Sequence, residues 1–172
     1  MKEINPEFSY IIDVNQIPTS GKVLNLQANE EQKSALAKRF NLEGILSLTA
    51  ELIFKRINKK RVRVDARFKA EVKQICVITL EHFVQSVQDA FSVVFSQEEN
   101  ESLRLNEIDI DMSEEDDVEF LQGDKIDAGE LVAEYLSLSL DPFPHAPDAE
   151  FRFEFDSEKE KNAFSVLKKL KF

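Results

Sequence analysis

Residues 46–72 read LSLTAELIFKRINKKRVRVDARFKAEV, and their period decides the fold class. Leu46, Leu48, Ala50, Leu52 and Phe54 alternate with Ser47, Thr49, Glu51 and Ile53. Beyond the polar turn Asn58-Lys59-Lys60, Val62, Val64, Ala66, Phe68, Ala70 and Val72 alternate again, now mostly with charged residues. Successive side chains of a strand point to opposite faces, so this pattern predicts a long β-hairpin with one buried and one charged face. Working outward, residues 84–95 give a further strand with Phe91, Val93 and Phe95 in phase, and shorter β-rich runs lie at 8–14 and 23–26. The stretch between those two runs, Gln16-Ile17-Pro18-Thr19-Ser20-Gly21, carries turn residues that interrupt pairing.

Helices are expected on either side of the strands. Asn29 reads as an N-cap with Gln32 at the capping-box position, and Ala35, Leu36 and Phe40 recur at helical spacing, which predicts a helix over 30–41 stopped by Gly44. A second capping box, Asp127-Ala128-Gly129-Glu130, precedes Leu131, Val132, Tyr135, Leu136 and Leu138, with Ile126 placed to staple against Leu131. That helix must end before Asp141-Pro142-Phe143-Pro144-His145-Ala146-Pro147, whose prolines cannot continue it. Phe151, Phe153 and Phe155 alternate as a last strand, and residues 164–172 (FSVLKKLKF) form a short basic amphipathic helix. Strands fill the middle and helices sit early and late, so the expected class is α+β, with a mainly antiparallel sheet able to curl into a barrel-like form.

The chain has 172 residues with 33 acids and 22 Lys+Arg, a formal net charge of −11. That length suits a single domain over 1–172 with a core of its own. The charge is local. Between Glu98 and Asp124 stand twelve acids and one base, Arg104, so the rest of the chain is neutral. Mutual repulsion opposes packing of such a run, and residues 97–124 are expected to be a mobile acidic loop. The hairpin carries the opposite sign: Lys55, Arg56, Lys59, Lys60, Arg61, Arg63, Arg67, Lys69 and Lys73 face only Asp65 and Glu71. Net acidity argues against sequence-blind DNA binding. One cysteine excludes an internal disulfide, no basic–apolar leader opens the chain, and no apolar run approaches the ~18 residues of a membrane span. A cytoplasmic location, with no membrane partner, is the expectation.

Chemistry by motif is sparse. Cys76 and His82 stand six residues apart, but no nucleophile signature surrounds them, so Cys76 reads as a small buried side chain. Asp109-Ile110-Asp111 opens like a calcium loop, yet Glu114 replaces the glycine of the turn and Phe120 the bidentate glutamate. One Cys and two His cannot close a zinc site, and no glycine pattern cradles a phosphate. No metal, cofactor or enzymatic role is therefore expected. Arg56, Lys59, Lys60, Arg61 and Arg63 form the one credible contact patch, able to neutralise RNA phosphates, or else simply a solvated strand face that discourages edge pairing.

Four segments stand in order along the chain: Ala35-Leu36-Ala37-Lys38-Arg39-Phe40 before the hairpin, Cys76-Val77-Ile78-Thr79-Leu80-Glu81, Ile126-Asp127-Ala128-Gly129-Glu130-Leu131 with Leu140-Asp141-Pro142-Phe143-Pro144, and an ending at 161–170. Together they resemble the YceD family of large ribosomal RNA subunit accumulation proteins. The second is similar to a Cys-Val-Val-Thr-Leu-Glu-Pro signature, and the third to Ile-Asp-Leu-Gly-Glu-Leu and Leu-Asp-Pro-Tyr-Pro-Arg. The version resembled is alphaproteobacterial. His82 stands for the signature's Pro, Ala128 for Leu, His145 for Arg and Ala163 for Pro. The resemblance implies a non-enzymatic part in accumulation of large-subunit ribosomal RNA, by binding the rRNA precursor or an assembly intermediate. The other reading is an adaptor whose acidic segment engages a basic ribosomal protein or assembly factor.

Overall fold

The structure is a computed structural model that describes residues 6–98 and 117–150. In chain order its elements are β1 (Ile11–Asp13), a 3-10 turn (Val14–Gln16), β2 (Lys22–Gln27), α1 (Glu30–Arg39), β3 (Gly44–Arg56), β4 (Arg61–Ile75), β5 (His82–Ser96), β6 (Asp117–Phe120), β7 (Lys125–Asp127) and α2 (Ala128–Ser139). The strand expected at 151–155 and the basic helix at 164–172 lie outside the described residues, as do residues 99–116 of the acidic run. Of the rest of that run, Asp117–Phe120 is paired strand.

The hairpin of the alternating stretch is β3 against β4, and β5 continues the antiparallel pairing along all of β4, from Arg61↔Ser96 to Ile75↔His82. β2 flanks β3, and β6 lies parallel to the end of β5, giving the order β2-β3-β4-β5-β6. β1 pairs antiparallel with β7 in a separate two-stranded ribbon. The class is α+β as expected, but the sheet does not close into a barrel. Its edges β2 and β6 are not paired to each other, and α1 on β3 with α2 on β4 and β5 covers the inner face instead. That face carries Leu48, Leu52, Phe54, Val64, Val72 and Val93, all essentially inaccessible, against Leu36, Val132 and Leu136 of the helices. Phe91 stacks on Tyr135 with ring centroids 3.6 Å apart. Among the described residues no helix is long and apolar enough to cross a membrane.

Three local departures from the sequence pattern have physical causes. The β3–β4 register shifts between Ile45 and Ser47, so Ile45 turns into the core and Leu46, expected inside, is exposed. One extra residue flips a side chain to the other face. Helix α1 has the reciprocal Asn29–Gln32 box, but it ends on Asn41 in the left-handed region (φ 55°) rather than at Gly44, which opens β3. At α2, Asp127 Oδ1 accepts the N–H groups of Gly129 and Glu130. Glu130 does not complete the box: it pairs with the Arg39 guanidinium at 2.6 and 2.9 Å, and Arg39 also reaches Glu7 at 3.1 Å.

The N-terminal segment is laid across this helix start. Tyr10 N–H and Ser9 Oγ–H donate to Asp127, and Ala128 N–H donates to the Tyr10 carbonyl. Phe8 passes so close to Gly129 that an added methyl would overlap its carbonyl oxygen and sit 2.8 Å from its carbonyl carbon. Backbone on backbone cannot yield as a side chain can. Gly129→Ala is expected to destabilise by roughly 2 kcal/mol, at the scale of overpacking, read as a lower urea midpoint at unchanged slope.

Candidate functional site

The residues singled out by sequence fall at opposite ends of β4. A strand of 15 residues spans roughly 50 Å at the usual rise of about 3.3 Å per residue. The basic cluster surrounds its start, and the Cys76 motif follows its end.

At the basic end the five residues do different jobs. Arg56 follows Phe54 in the core phase of β3; its Nη2 donates to the Val14 carbonyl and its Nε is buried with no partner among the described residues. It is a strut between the hairpin and the N-terminal segment rather than a free contact. Lys60 Nζ pairs with Glu98 at 2.8 Å, so the acidic run begins on the basic turn. Arg63 Nε lies 2.7 Å from Asp65, which also receives Lys55 Nζ at 3.1 Å and the Ser92 hydroxyl at 2.9 Å. Burial pushes the Asp65 carboxyl up, but the hydrogen bonds from Arg63, Lys55 and Ser92 together outweigh it and hold the group below the ordinary aspartate value. Lys59 is exposed and Arg61 half-buried at the same end.

At the far end the turn 76–81 joins β4 to β5. Cys76 N–H donates to the Glu81 carbonyl, Leu80 N–H to the Cys76 carbonyl, and Leu80 is held at φ 59° with its side chain 75% exposed. The Cys76 sulfur is fully enclosed and accepts the Thr79 N–H at 3.4 Å. Hydrogen bonding from Thr79 works against burial, and with the backbone N–H groups of Ala146, Thr79 and Ile78 it draws the thiol down to about 6. The proline strap is bound here too: Val77 N–H donates to the Pro144 carbonyl at 2.9 Å, and Asp141 turns the strap by accepting the Phe143 N–H. Thus Cys76, Thr79, Leu80 and Glu81 meet Pro142, Phe143 and Pro144 at one corner. Asp127, Gly129 and Glu130 belong to the separate junction at the start of α2. His82, weighed as a partner for Cys76, lies instead with its Nδ1 3.7 Å from Glu43.

The corner encloses a groove of about 570 Å³ between the ends of both helices, lined by Phe40, Glu43, Gln74, Leu140, Asp141 and Pro142 among others. Sequence reasoning passed over Gln74 and Glu43. The signal for Gln74 was present, since it is a polar residue in the buried phase of β4. A wider groove of about 780 Å³ crosses β2 to β5, with Glu51, Arg67, Lys69 and Asp89 of mixed sign on its walls. Among the described residues, no three His, Cys, Asp or Glu side chains gather where they could hold a metal ion.

A protein-family model described as the large ribosomal RNA subunit accumulation protein YceD matches residues 64–171. That stretch begins inside β4, after Arg56 to Arg63, and includes every motif residue from Cys76 to Pro144. Neither the curated proteins nor the solved structures contain a match.

Two outcomes test these assignments. Because Asp65 titrates lower folded than unfolded, its contribution is present above the ordinary aspartate value and is lost as pH falls through the folded one. Asp65→Asn is therefore expected to lower stability at neutral pH, with the gap from the parent closing on acidification below about pH 4. Cys76→Ala removes an acceptor that organises the turn; the expected result is a lower urea midpoint. The parent thiol should resist iodoacetamide until denaturant opens the fold.

Proposed function

The chain belongs to the YceD family, the large ribosomal RNA subunit accumulation proteins, and on that premise we propose that it acts in the cytoplasm as a non-enzymatic ribosome-biogenesis factor. In this reading it binds the precursor of large-subunit ribosomal RNA, or an assembly intermediate that contains it. The observation that carries the RNA contact is the basic end of the hairpin, where Lys59, Lys60 and Arg61 stand on a turn held between long paired strands. Arg63 stands behind them, two residues into β4.

The pairings there suit exchange. Lys60–Glu98 has both side chains at least half exposed, and such surface pairs are worth about 0–1 kcal/mol. A phosphate can replace the carboxylate at small cost, while a weak polyanion gains little over it. The acidic run therefore screens the patch against indiscriminate binding. Arg56 contributes rigidity, since its guanidinium is committed to the Val14 carbonyl. The absence of catalysis in this reading is supported by Cys76, whose enclosed sulfur is engaged by the Thr79 N–H of the turn.

The test is a salt titration of binding to a large-subunit rRNA fragment by the parent, the triple variant Lys59→Gln/Lys60→Gln/Arg61→Gln, and Arg56→Gln. For the triple variant the slope of log affinity against log salt should fall by about 0.7–0.9 for each phosphate that it no longer neutralises. Arg56→Gln should lower stability while leaving the slope alone. Equal affinity and slope for the parent and the triple variant would reject the patch.

A further inference from the structure

We propose that the corner groove is a docking site for an extended basic protein segment, which inserts one arginine or lysine side chain beside Gln74. Three features of the groove point to that chemistry. Gln74 is 6% exposed, and its Oε1 has no hydrogen-bond partner among the described residues. A buried carbonyl left in this state lacks a donor, and the described residues do not supply one. Around it stand the apolar surfaces of Phe40, Leu140 and Pro142, and at the rim the exposed carboxylates of Glu43 and Asp141. Among the described residues neither carboxylate pairs with a lysine or arginine; the neighbour of Glu43 is His82, 3.7 Å away.

A phosphate would meet two carboxylates and, among the lining residues, no lysine or arginine, so the groove disfavours RNA. An apolar side chain would fill the walls and leave Gln74 as it is. A cationic side chain on an aliphatic stem suits every element: the stem lies along Phe40 and Pro142 with its N–H donors toward the acidic rim, and a turn of the Gln74 side chain brings the enclosed Oε1 to them. The strap beside it is prepared for a partner. Prolines 142 and 144 fix its course, Val77 N–H ties it to the turn, and Phe143 is displayed 68% exposed. A preformed wall reduces the ordering cost of binding. The segment would be held about one β4 length from the RNA patch, so the two contacts can form together.

The experiment follows amide resonances of the full-length, ¹⁵N-labelled protein during titration with acetyl-Leu-Arg-Leu-amide and its citrulline counterpart. The expected result is a shift of the Gln74 side-chain amide and of the Glu43 and Asp141 backbones, with affinity about tenfold weaker for citrulline. Gln74→Leu should weaken the arginine peptide by about tenfold without lowering the melting temperature, because it removes an unpaired polar group. Glu43→Gln, an exposed change that leaves the core alone, should weaken it severalfold. The proposal fails if Gln74 does not shift, if shifts are confined to residues 98–124, or if both variants bind the peptide as the parent does. It also fails if Lys168→Ala/Lys169→Ala moves the Gln74 resonance with no peptide present, since the occupant would then be the chain's own basic end. Lys59→Gln/Arg61→Gln should bind the peptide normally, which separates this outcome from failure of the RNA reading.

Discussion

β4 is paired with β5 along its whole length and with β3 from Val62 to Lys73, and that constraint sets the rest of the molecule. Strict alternation puts every second residue from Val62 to Cys76 on one face, and two helices have to cover it. They are too short to do so. The longer, α2, has 12 residues and spans about 18 Å at 1.5 Å per residue, against roughly 50 Å for the strand beneath. The buried phase therefore runs out from under the helices at Gln74 and Cys76, and the proline strap closes over what is left. The groove and the enclosed thiol are two results of one mismatch in length.

Single side chains stitch segments that the sheet does not join. Asp127 accepts from Tyr10, Ser9, Gly129 and Glu130, so one carboxylate caps α2 and fixes the N-terminal segment across it. An acid at a helix N-terminus is favoured by the helix dipole as well, and Asp127 satisfies donors from both directions. Residues 76 and 77 play the matching part at the other end, where the Cys76 sulfur accepts the Thr79 N–H and the Val77 N–H holds the Pro144 carbonyl. The motif residues of the family are thus divided between two structural junctions. At the corner, Gln74 Oε1 has no partner among the described residues, and Glu43 stands at the rim of the groove.

Much of this was legible before any coordinates. Alternation located the three long strands, and Asn29, Gln32 and Asp127 marked helix starts because capping is a local matter of a side chain and the next three N–H groups. The bulge at Ile45 was not legible, since Ile45 and Leu46 are both apolar and either could face the core. Closure into a barrel was equally undecidable, because it depends on whether β2 meets β6, and their meeting leaves no mark on either strand. The assignment of Arg56 as a contact overlooked its phase. It follows Leu52 and Phe54 in the inward series, and an inward charge at a sheet end must find a carbonyl, here that of Val14. Gln74 carries the same signal and was missed for the same reason. Cys76 was read correctly as buried, but the strap beside it, tied by the Val77 N–H to the Pro144 carbonyl, comes from far along the chain, and no local pattern reports that.

The net charge of −11 describes neither end of this molecule. Its excess lies in one run that starts at Glu98, and that first carboxylate pairs with Lys60 of the basic turn. At the opposite end the local sign is negative, from Glu43 and Asp141, around a neutral acceptor. Since screening over about 8–10 Å isolates charges at physiological salt, ends separated by the length of β4 act independently. On the reading proposed above, each end selects its ligand by its own sign: phosphate at the turn, a cation at the corner. One rigid strand between two such ends is suited to holding a nucleic acid and a basic polypeptide at a fixed separation, a geometry that neither end could impose alone.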